Sequence, residues 1–151
     1  SVRPRAGGSL GVTLLGADDA KSVTRAQLRD RLVLLLAGRA AESHVFRGDV
    51  SSGPSDDLMK TAELAKAIVV NFGMSDLGAA AAVGDADDAV RAELRRAEDA
   101  ARDLVRDHDR TLRSVARALV KRETLDGAAL GALFAEDGAP RAPERVAAAL
   151  G

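Results

Sequence analysis

Two adjacent carboxylates, Asp56 and Asp57, stand at the start of a predicted helix, directly after a loop rich in glycine and serine. The loop, residues 48–54, cannot continue a helix and so separates two helical segments. Ser55 is the predicted N-cap, because its hydroxyl can accept from an unpaired backbone N–H of the first turn. Negative charge in that turn also suits the helix dipole. The two carboxylates can therefore serve as caps alone or present a ligand to a metal.

Asp57 is the candidate metal ligand of the two. A catalytic zinc site needs three protein ligands plus a water, and histidine is a common nitrogen ligand. The chain has no cysteine and only two histidines, His44 and His108. Neither lies in an HExxH motif, which places two histidines one helical turn apart with a glutamate base between them. No catalytic residue is therefore assigned within this chain.

Both histidines have structural interpretations that we favour over metal ligation. His44 lies near the end of the first predicted helix, where a protonated imidazole favours the dipole. His108 falls on the apolar seam of the longest helical pattern or at a break in it, where a hydrogen-bonded histidine is expected. Residues 48–54 lack the GxxxxGK[ST] pattern of a phosphate loop, so no nucleotide site is predicted.

Composition indicates a single helical domain of 151 residues. Apolar residues make up 46% of the chain, yet its only aromatic residues are three Phe. A core of Ala, Leu and Val with so few aromatics favours close-packed helices over a β-sandwich. With 22 basic and 23 acidic residues there is no basic excess, so no nucleic-acid partner is expected. No apolar run approaches the length of a membrane span, so we expect the chain to be soluble.

Periodic apolar residues predict the helices on either side of the loop. Thr24 and Gln27 form a capping-box pattern that opens the first helix, which ends near His44. The second helix begins at Ser55 and ends at residues 71–73. Its predicted apolar stripe consists of Leu58, Ala62, Ala65, Val69 and Phe72.

The longest helical pattern starts at residues 85–88 and slips in phase at residues 107–109, where we expect a kink or a break. Charges fill its other faces, so the surface of residues 91–117 is interpreted as solvated. Asp126 is the predicted cap of a short helix through Phe134.

The predicted fold class is mainly α, with one or two short β segments. Residues 9–15 are the better strand candidate, because Val12 and Thr13 stand between glycines. Residues 77–83, small and apolar, are the second candidate.

Five short blocks of the chain are SLGVT at residues 9–13, LAGRAAESHVF at 36–46, SSGPSDDL at 51–58, NFGMS at 71–75 and KRETLDG at 121–127. Together they resemble peptidase family M41, the protease half of the FtsH class of membrane-anchored, ATP-dependent zinc proteases. The first is similar to the family segment just after the zinc-binding helix, and the others resemble GGRAAEELIF, TTGASNDL, YGMS and EKETLDG. They stand in family order between about residues 9 and 135, which leaves residues 136–151 as a tail.

The resemblance implies that Asp57 is the third zinc ligand, because it stands where TTGASNDL has its Asp. The other two ligands in that family are the histidines of HExxH, which would lie before Ser1 together with the ATPase module. Asp56 replaces the usual Asn, and Pro54 replaces the usual Ala. The chain would thus supply the helical scaffold and one ligand. The implied cofactors are Zn²⁺ in the complete domain and ATP used by a separate module.

The implied partners are the missing HExxH and ATPase segments, polypeptide substrates and further copies in a homo-oligomer, which is a hexamer in the family. The implied location is the cytoplasmic side of a bacterial or organellar membrane. A start at Ser1 rather than Met suggests an excised or processed fragment, and we expect the isolated chain to have no peptidase activity. The alternative is a non-catalytic M41-like module for helical interaction or assembly, favoured by the missing HExxH and by Asp56. A third interpretation is a generic helical domain whose motifs match by coincidence.

Overall fold

A computed structural model describes residues 1–2, 23–82, 84 and 86–138. The chain divides into a larger unit, Ala20–Asp107, and a smaller one that combines Ser1–Asp19 with His108–Gly151. The described helices are α1 (Arg25–Val45), α2 (Ser55–Lys66), α3 (Asp87–Asp107), α4 (Asp109–Arg122) and α5 (Gly127–Glu136). The mainly α fold class is therefore confirmed. None of the described helices is both long enough and apolar enough to cross a membrane.

The short β segments are not confirmed. Within residues 77–83, Gly78–Ala82 forms a 3₁₀ helix instead of the predicted strand. The reason is local, because four consecutive alanines favour helical dihedrals and supply no β-branched side chain. The other strand candidate, residues 9–15, lies outside the described residues, and the described residues themselves contain no strand.

The first helix, α1, begins at the predicted capping box. The Thr24 hydroxyl accepts from the Gln27 backbone N–H at 3.3 Å, and the Gln27 side chain accepts from the Thr24 N–H at 2.9 Å. Three leucines one turn apart then point into the larger unit, and each is at most 5% exposed. These leucines and the residues that complete their buried cluster are Leu28, Leu32, Leu36, Ala65, Ile68, Ala97 and Ala101. Alanines on α2 and α3 provide the close approach that this packing needs.

The second helix, α2, turns a different face inward from the one predicted. Ala65 and Val69 are buried as expected, but Leu58 and Phe72 are about half exposed, and Thr61 is fully buried. A π-helical turn at Ala67–Asn71 extends α2. Its wider turn shifts the phase of the residues that follow, which explains the outward position of Phe72.

The predicted break in the longest helical pattern is confirmed. It falls at His108, between the end of α3 and the start of α4. In the smaller unit, the Asp126 carboxylate caps α5 by accepting from the Ala129 N–H at 2.8 Å, as predicted. An ion pair of 3.1 Å between Arg110 Nε and Asp137 Oδ1 links the start of α4 to the end of α5.

Candidate functional site

Asp57 lies in the first turn of α2 with its carboxylate directed to the surface. Its side chain is 50% exposed, and the Lys60 ammonium lies 3.5 Å from its Oδ1. Its backbone carbonyl accepts from the buried Thr61 hydroxyl at 2.6 Å. The backbone of this turn is therefore anchored to the core while the carboxylate stays accessible.

The start of α2 differs by one residue from the prediction. Pro54 rather than Ser55 occupies the N-cap, and no side chain caps this end. The Pro54 carbonyl accepts from the Leu58 N–H at 3.0 Å, which is the first hydrogen bond of the helix. Because that bond begins at Pro54, Ser55 already has a helical position. Asp56 and Asp57 lie in the first turn as expected.

Glu42, near the end of α1, holds the loop that leads into α2. Its carboxylate accepts from the Ser51 N–H at 2.9 Å and from the Ser51 hydroxyl at 2.9 and 3.1 Å. The same hydroxyl accepts from the Gly53 N–H at 3.1 Å. The hydrogen bonds from the Ser51 backbone and side chain lower the pKa of Glu42. One carboxylate of α1 thus fixes the chain three residues before the N-cap of α2.

The backbone also turns sharply at the start of this loop. Arg47 has φ +57° and Gly48 has φ +96°. The first is unusual for a residue with a side chain, and the second is a conformation that glycine adopts without cost. The predicted end of helix at this glycine-containing loop is therefore confirmed.

The structure does not gather the histidines into a metal site with Asp57. His44 is exposed in the last turn of α1, and His108 is half-buried at the break before α4. In the part of the chain that is described, no three His, Asp or Glu residues are placed so that they could hold a metal ion. Asp57 is therefore at most one ligand of a site that other residues must complete.

A buried carboxylate, Glu93 on α3, is the polar group that the sequence interpretation missed. Its side chain is 2% exposed, so the surface of residues 91–117 is not uniformly solvated as predicted. Arg29 on α1 donates from Nε to Glu93 Oε2 at 2.9 Å and from Nη2 to Oε1. Arg96 donates to Oε1 at 3.0 Å. Local spacing indicates the Glu93–Arg96 pair, but nothing local indicates that Arg29 reaches across from another helix.

The ion network extends to the turn after the π-helical segment. Asp76 accepts from Arg25 at 3.0 Å and from Arg96 at 3.3 Å, so α1, this turn and α3 share one set of charges. Burial raises the pKa of Glu93, but the Arg29 hydrogen bond and the nearby guanidinium charges outweigh it and hold that pKa below its usual value. The hydrogen bonds from Arg25 and Arg96 lower the pKa of Asp76. Ion pairs of these two carboxylates, whose pKa values are lowered, thus connect α1, the turn and α3 within the larger unit.

A groove of about 160 Å³ lies between α1, the loop after it and α3. Apolar and charged side chains line it together, and they are Leu36, Arg39, Ala40, Ser43, Gly48, Val50, Glu98, Ala101 and Arg102. Asp57 is not part of the lining. The carboxylate therefore lies on an open surface and not within this groove.

Two exposed apolar side chains follow Asp57 in the sequence of α2. Leu58 is 47% exposed and Met59 is 66% exposed, directly after the carboxylate in the chain. Because neighbouring residues on a helix point in different directions, these side chains do not form one face with the Asp57 carboxylate.

The model of peptidase family M41 matches residues 1–91, which include Asp57 and the Glu42 loop. The chain belongs to peptidase family M41. The M41 match confirms the family resemblance, covers the four blocks between residues 9 and 75, and makes a generic helical domain the wrong interpretation.

Proteins named ATP-dependent zinc metalloprotease FtsH are similar to this M41 chain. The Pseudomonas putida protein is 53% identical across 50% of this chain and 12% of its own length. The Methylibium petroleiphilum protein is 36% identical across 89% of this chain and 26% of its own length. FtsH 1 of Symbiobacterium thermophilum is 41% identical across 85% of this chain and 23% of its own length. The M41 chain thus spans about a quarter or less of these relatives.

The Asp57 carboxylate of the M41 chain is suited to be one ligand of a zinc ion. A carboxylate oxygen is a normal zinc ligand, and a helix start anchored by Thr61 and by the Glu42 loop limits its movement. The described residues do not fit a complete site, because zinc needs at least two further protein ligands there. Any such ligands must come from outside the described residues.

Proposed function

We propose that this chain is the C-terminal portion of the peptidase domain of an ATP-dependent zinc metalloendopeptidase. It provides the helical scaffold and the third zinc ligand, Asp57. One observation carries the proposal: within the M41 match, the Asp57 carboxylate is half exposed on a helix start that the core anchors. The other ligands and the glutamate base come from an HExxH helix in a segment outside these 151 residues, and ATP is used by a separate module.

The residues of this chain act by holding the Asp57 carboxylate still. Glu42 fixes Ser51 in the preceding loop, and the Thr61 hydroxyl fixes the Asp57 carbonyl. Asp57 lies in the first turn of α2, where negative charge suits the helix dipole. Zinc, when bound, supplies a water of lowered pKa and polarises the scissile carbonyl. Pre-organisation of this kind matters because a small misplacement of a ligand weakens the whole site.

The segment that carries the other ligands would dock at the start of α2. Two apolar side chains there, Leu58 and Met59, are exposed and could be covered by it. The substrates of the assembled enzyme are polypeptides. The proposed assembly is a homo-oligomer attached to the cytoplasmic side of a membrane through other parts of the protein.

Asp57→Asn tests the ligand role with little change in shape. In the full-length protein, we expect this variant to lose zinc affinity at least about 10-fold to 100-fold, the loss that even an outer-shell change can cause. Zinc affinity is measured by competition with a chromogenic chelator, and casein cleavage is followed in parallel. Asp56→Asn is the matched control, because it removes the neighbouring carboxylate but not the proposed ligand, and its zinc affinity should fall by much less than that of Asp57→Asn.

The outcome also decides between the two functions. Unchanged zinc affinity in Asp57→Asn would show that Asp57 is not a ligand. A full-length protein without an HExxH segment would favour the alternative, an M41-like module that assembles or regulates active partners. Zinc-dependent casein cleavage by the isolated 151-residue chain would contradict the proposal that catalytic residues lie elsewhere.

A further inference from the structure

An excess of positive charge is concentrated on α4, although the chain as a whole is slightly acidic. Five basic residues and one acidic residue lie in this helix, which gives it a net charge of +4. The whole chain has a net charge of −1, so the residues outside α4 carry −5 in total. The basic excess is therefore local to one helix of the smaller unit.

Four exposed residues of α4, Arg113, Arg117, Val120 and Lys121, form what we call its outer face. They recur three and four positions apart, so they are neighbours on one side of the helix. Val120 is 83% exposed although its side chain is purely apolar. Thr111, which is buried, lies on the other side. The outer face thus combines three cations with one uncovered apolar side chain.

Arginines on α3 have carboxylate partners one helical turn away. Three such pairs, each 2.9 Å apart, are Arg91–Asp88, Arg102–Asp99 and Arg106–Asp103. On the outer face of α4, Arg113 has a partner of this kind in Asp109, at 3.0 Å. Arg117 donates instead to the Ser114 hydroxyl at 3.4 Å. Among the described residues, no carboxylate forms an ion pair with Arg117 or with Lys121.

The spacing of these cations also disfavours the helix that carries them. Arg113, Arg117 and Lys121 follow one another at four-residue intervals, and like charges at that interval destabilise a helix. The helix dipole compensates Lys121, which lies in the last turn, but it does not reach the middle of α4. Local rules of this kind are most often broken at functional sites, where a partner supplies the missing compensation.

We propose that the outer face of α4 binds an acidic protein segment, one that places an apolar side chain against Val120. Carboxylates suit this face, because a guanidinium group can bind a carboxylate through two parallel hydrogen bonds. An apolar side chain of the partner would remove Val120 from water. The partner therefore carries carboxylates around an apolar residue.

Nucleic acids and anionic membranes fit this face less well. Both present an extended array of negative charge, which the net charge of −5 on the rest of the chain would repel. A short acidic segment can instead meet α4 alone. The proposal is independent of zinc and of the role of Asp57.

The test measures binding of a fluorescent peptide, with glutamates around a central leucine, to the full-length protein by fluorescence anisotropy. At about 0.05 M salt, Arg117→Gln combined with Lys121→Gln should bind it about threefold to tenfold more weakly than the wild type. The difference should shrink at about 0.5 M salt, because salt screens exposed charges. Val120→Ser should weaken binding about threefold at both salt concentrations, because the apolar contact is lost.

Two controls separate a specific face from a general effect of charge. Arg91→Gln combined with Arg102→Gln removes the same amount of charge from α3, and this variant should bind the peptide like the wild type. A peptide with glutamine in place of glutamate should not bind. Removing Arg117 and Lys121 relieves repulsion within α4, so circular dichroism should show helical content and a thermal midpoint no lower than in the wild type.

Three results would overturn the proposal. The first is equal peptide binding at low salt by the wild type and by the variant without Arg117 and Lys121. The second is an equal loss of binding in the α3 control. The third is tighter binding of single-stranded DNA or of phosphatidylserine vesicles than of the peptide, with the same dependence on Arg117 and Lys121. None of them bears on Asp57, whose role is tested by zinc affinity.

Discussion

Among the individual residues, two carboxylates of similar chemistry have opposite surroundings. Asp57 is half exposed with one flexible ammonium beside it, whereas Glu93 is 2% exposed and is bound by Arg29 and Arg96. An accessible, lightly paired carboxylate can bind a metal from outside. A buried carboxylate held by several guanidinium groups cannot do so without breaking the packing around it.

Arg29→Met tests the buried network. Glu93 would lose its two-point partner while remaining buried, so we expect the free energy of unfolding to fall by about 1–3 kcal/mol in urea titrations. Adding Glu93→Leu should recover part of that loss, because it removes the poorly compensated charge.

An exposed pair on α3 is the matched control for this experiment. Arg91 pairs with Asp88 at 2.9 Å, and both side chains are largely exposed. Arg91→Met should cost no more than about 0.5 kcal/mol, as exposed pairs usually do. Equal losses in Arg29→Met and Arg91→Met would contradict the special role of the buried pair.

Among the helices and loops, the segments that follow the helix ends determine where Asp57 and Asp76 lie. The Glu42 loop ends α1 and leads to the start of α2, and the turn after the π-helical segment brings Asp76 to the arginines of α1 and α3. Glycines make that second turn feasible. Gly73 has φ +58°, and a Cβ placed there would lie 3.3 Å from the Gly78 carbonyl oxygen.

Gly73→Ala should therefore lower stability by about 1–2 kcal/mol, because a side chain disfavours the left-handed conformation and meets the backbone of Gly78. Gly38→Ala is the opposite control. Gly38 lies inside α1, and an added Cβ would point into open space, so alanine should raise stability by about 0.5–1 kcal/mol. Thermal and urea unfolding measure both. A Gly73→Ala variant as stable as the wild type would contradict the proposed backbone constraint.

Taken as a whole, the molecule is an M41 chain that spans a minor part of its FtsH relatives. Its described residues contribute one candidate zinc ligand, Asp57. Its larger unit contains an ion network in which the pKa values of Glu93 and Asp76 are lowered. The proposed enzyme therefore depends on this chain for ligand position and on other segments for the rest of the catalytic centre.

The charged network predicts how stability responds to acid. Glu42, Asp76 and Glu93 have folded-state pKa values below their usual values of 4.5, 3.8 and 4.5. The unfolded chain binds protons more readily at these groups, so the stability they contribute is present above about pH 4.5 and is lost as the pH falls through the lowered pKa values.

Thermal midpoints by circular dichroism should consequently stay level from about pH 7 to about pH 5 and fall below about pH 4.5. Asp76→Asn should be less stable than the wild type at neutral pH and should show a shallower fall in acid, because it removes one titrating group. A wild-type midpoint that is constant down to about pH 3 would contradict the assignment of these ion pairs.

Residue types a few positions apart were enough to predict the helical class, the caps at Thr24 and Asp126, the break at His108 and the position of Asp57 at a helix start. Each of these features depends on neighbours within one or two helical turns, so local patterns contain them. The same patterns indicated a strand where Gly78–Ala82 is a 3₁₀ helix, because short apolar runs suit either structure.

Which groups are buried and which groups meet depended instead on how the helices dock. The Arg29–Glu93 contact joins residues 64 positions apart, and the Glu42–Ser51 contact crosses a loop. The π-helical turn after α2 shifted the phase of the residues that follow it, leaving Phe72 exposed. Docking is set by the joint fit of many side chains from distant parts of the chain, and no local pattern records that fit.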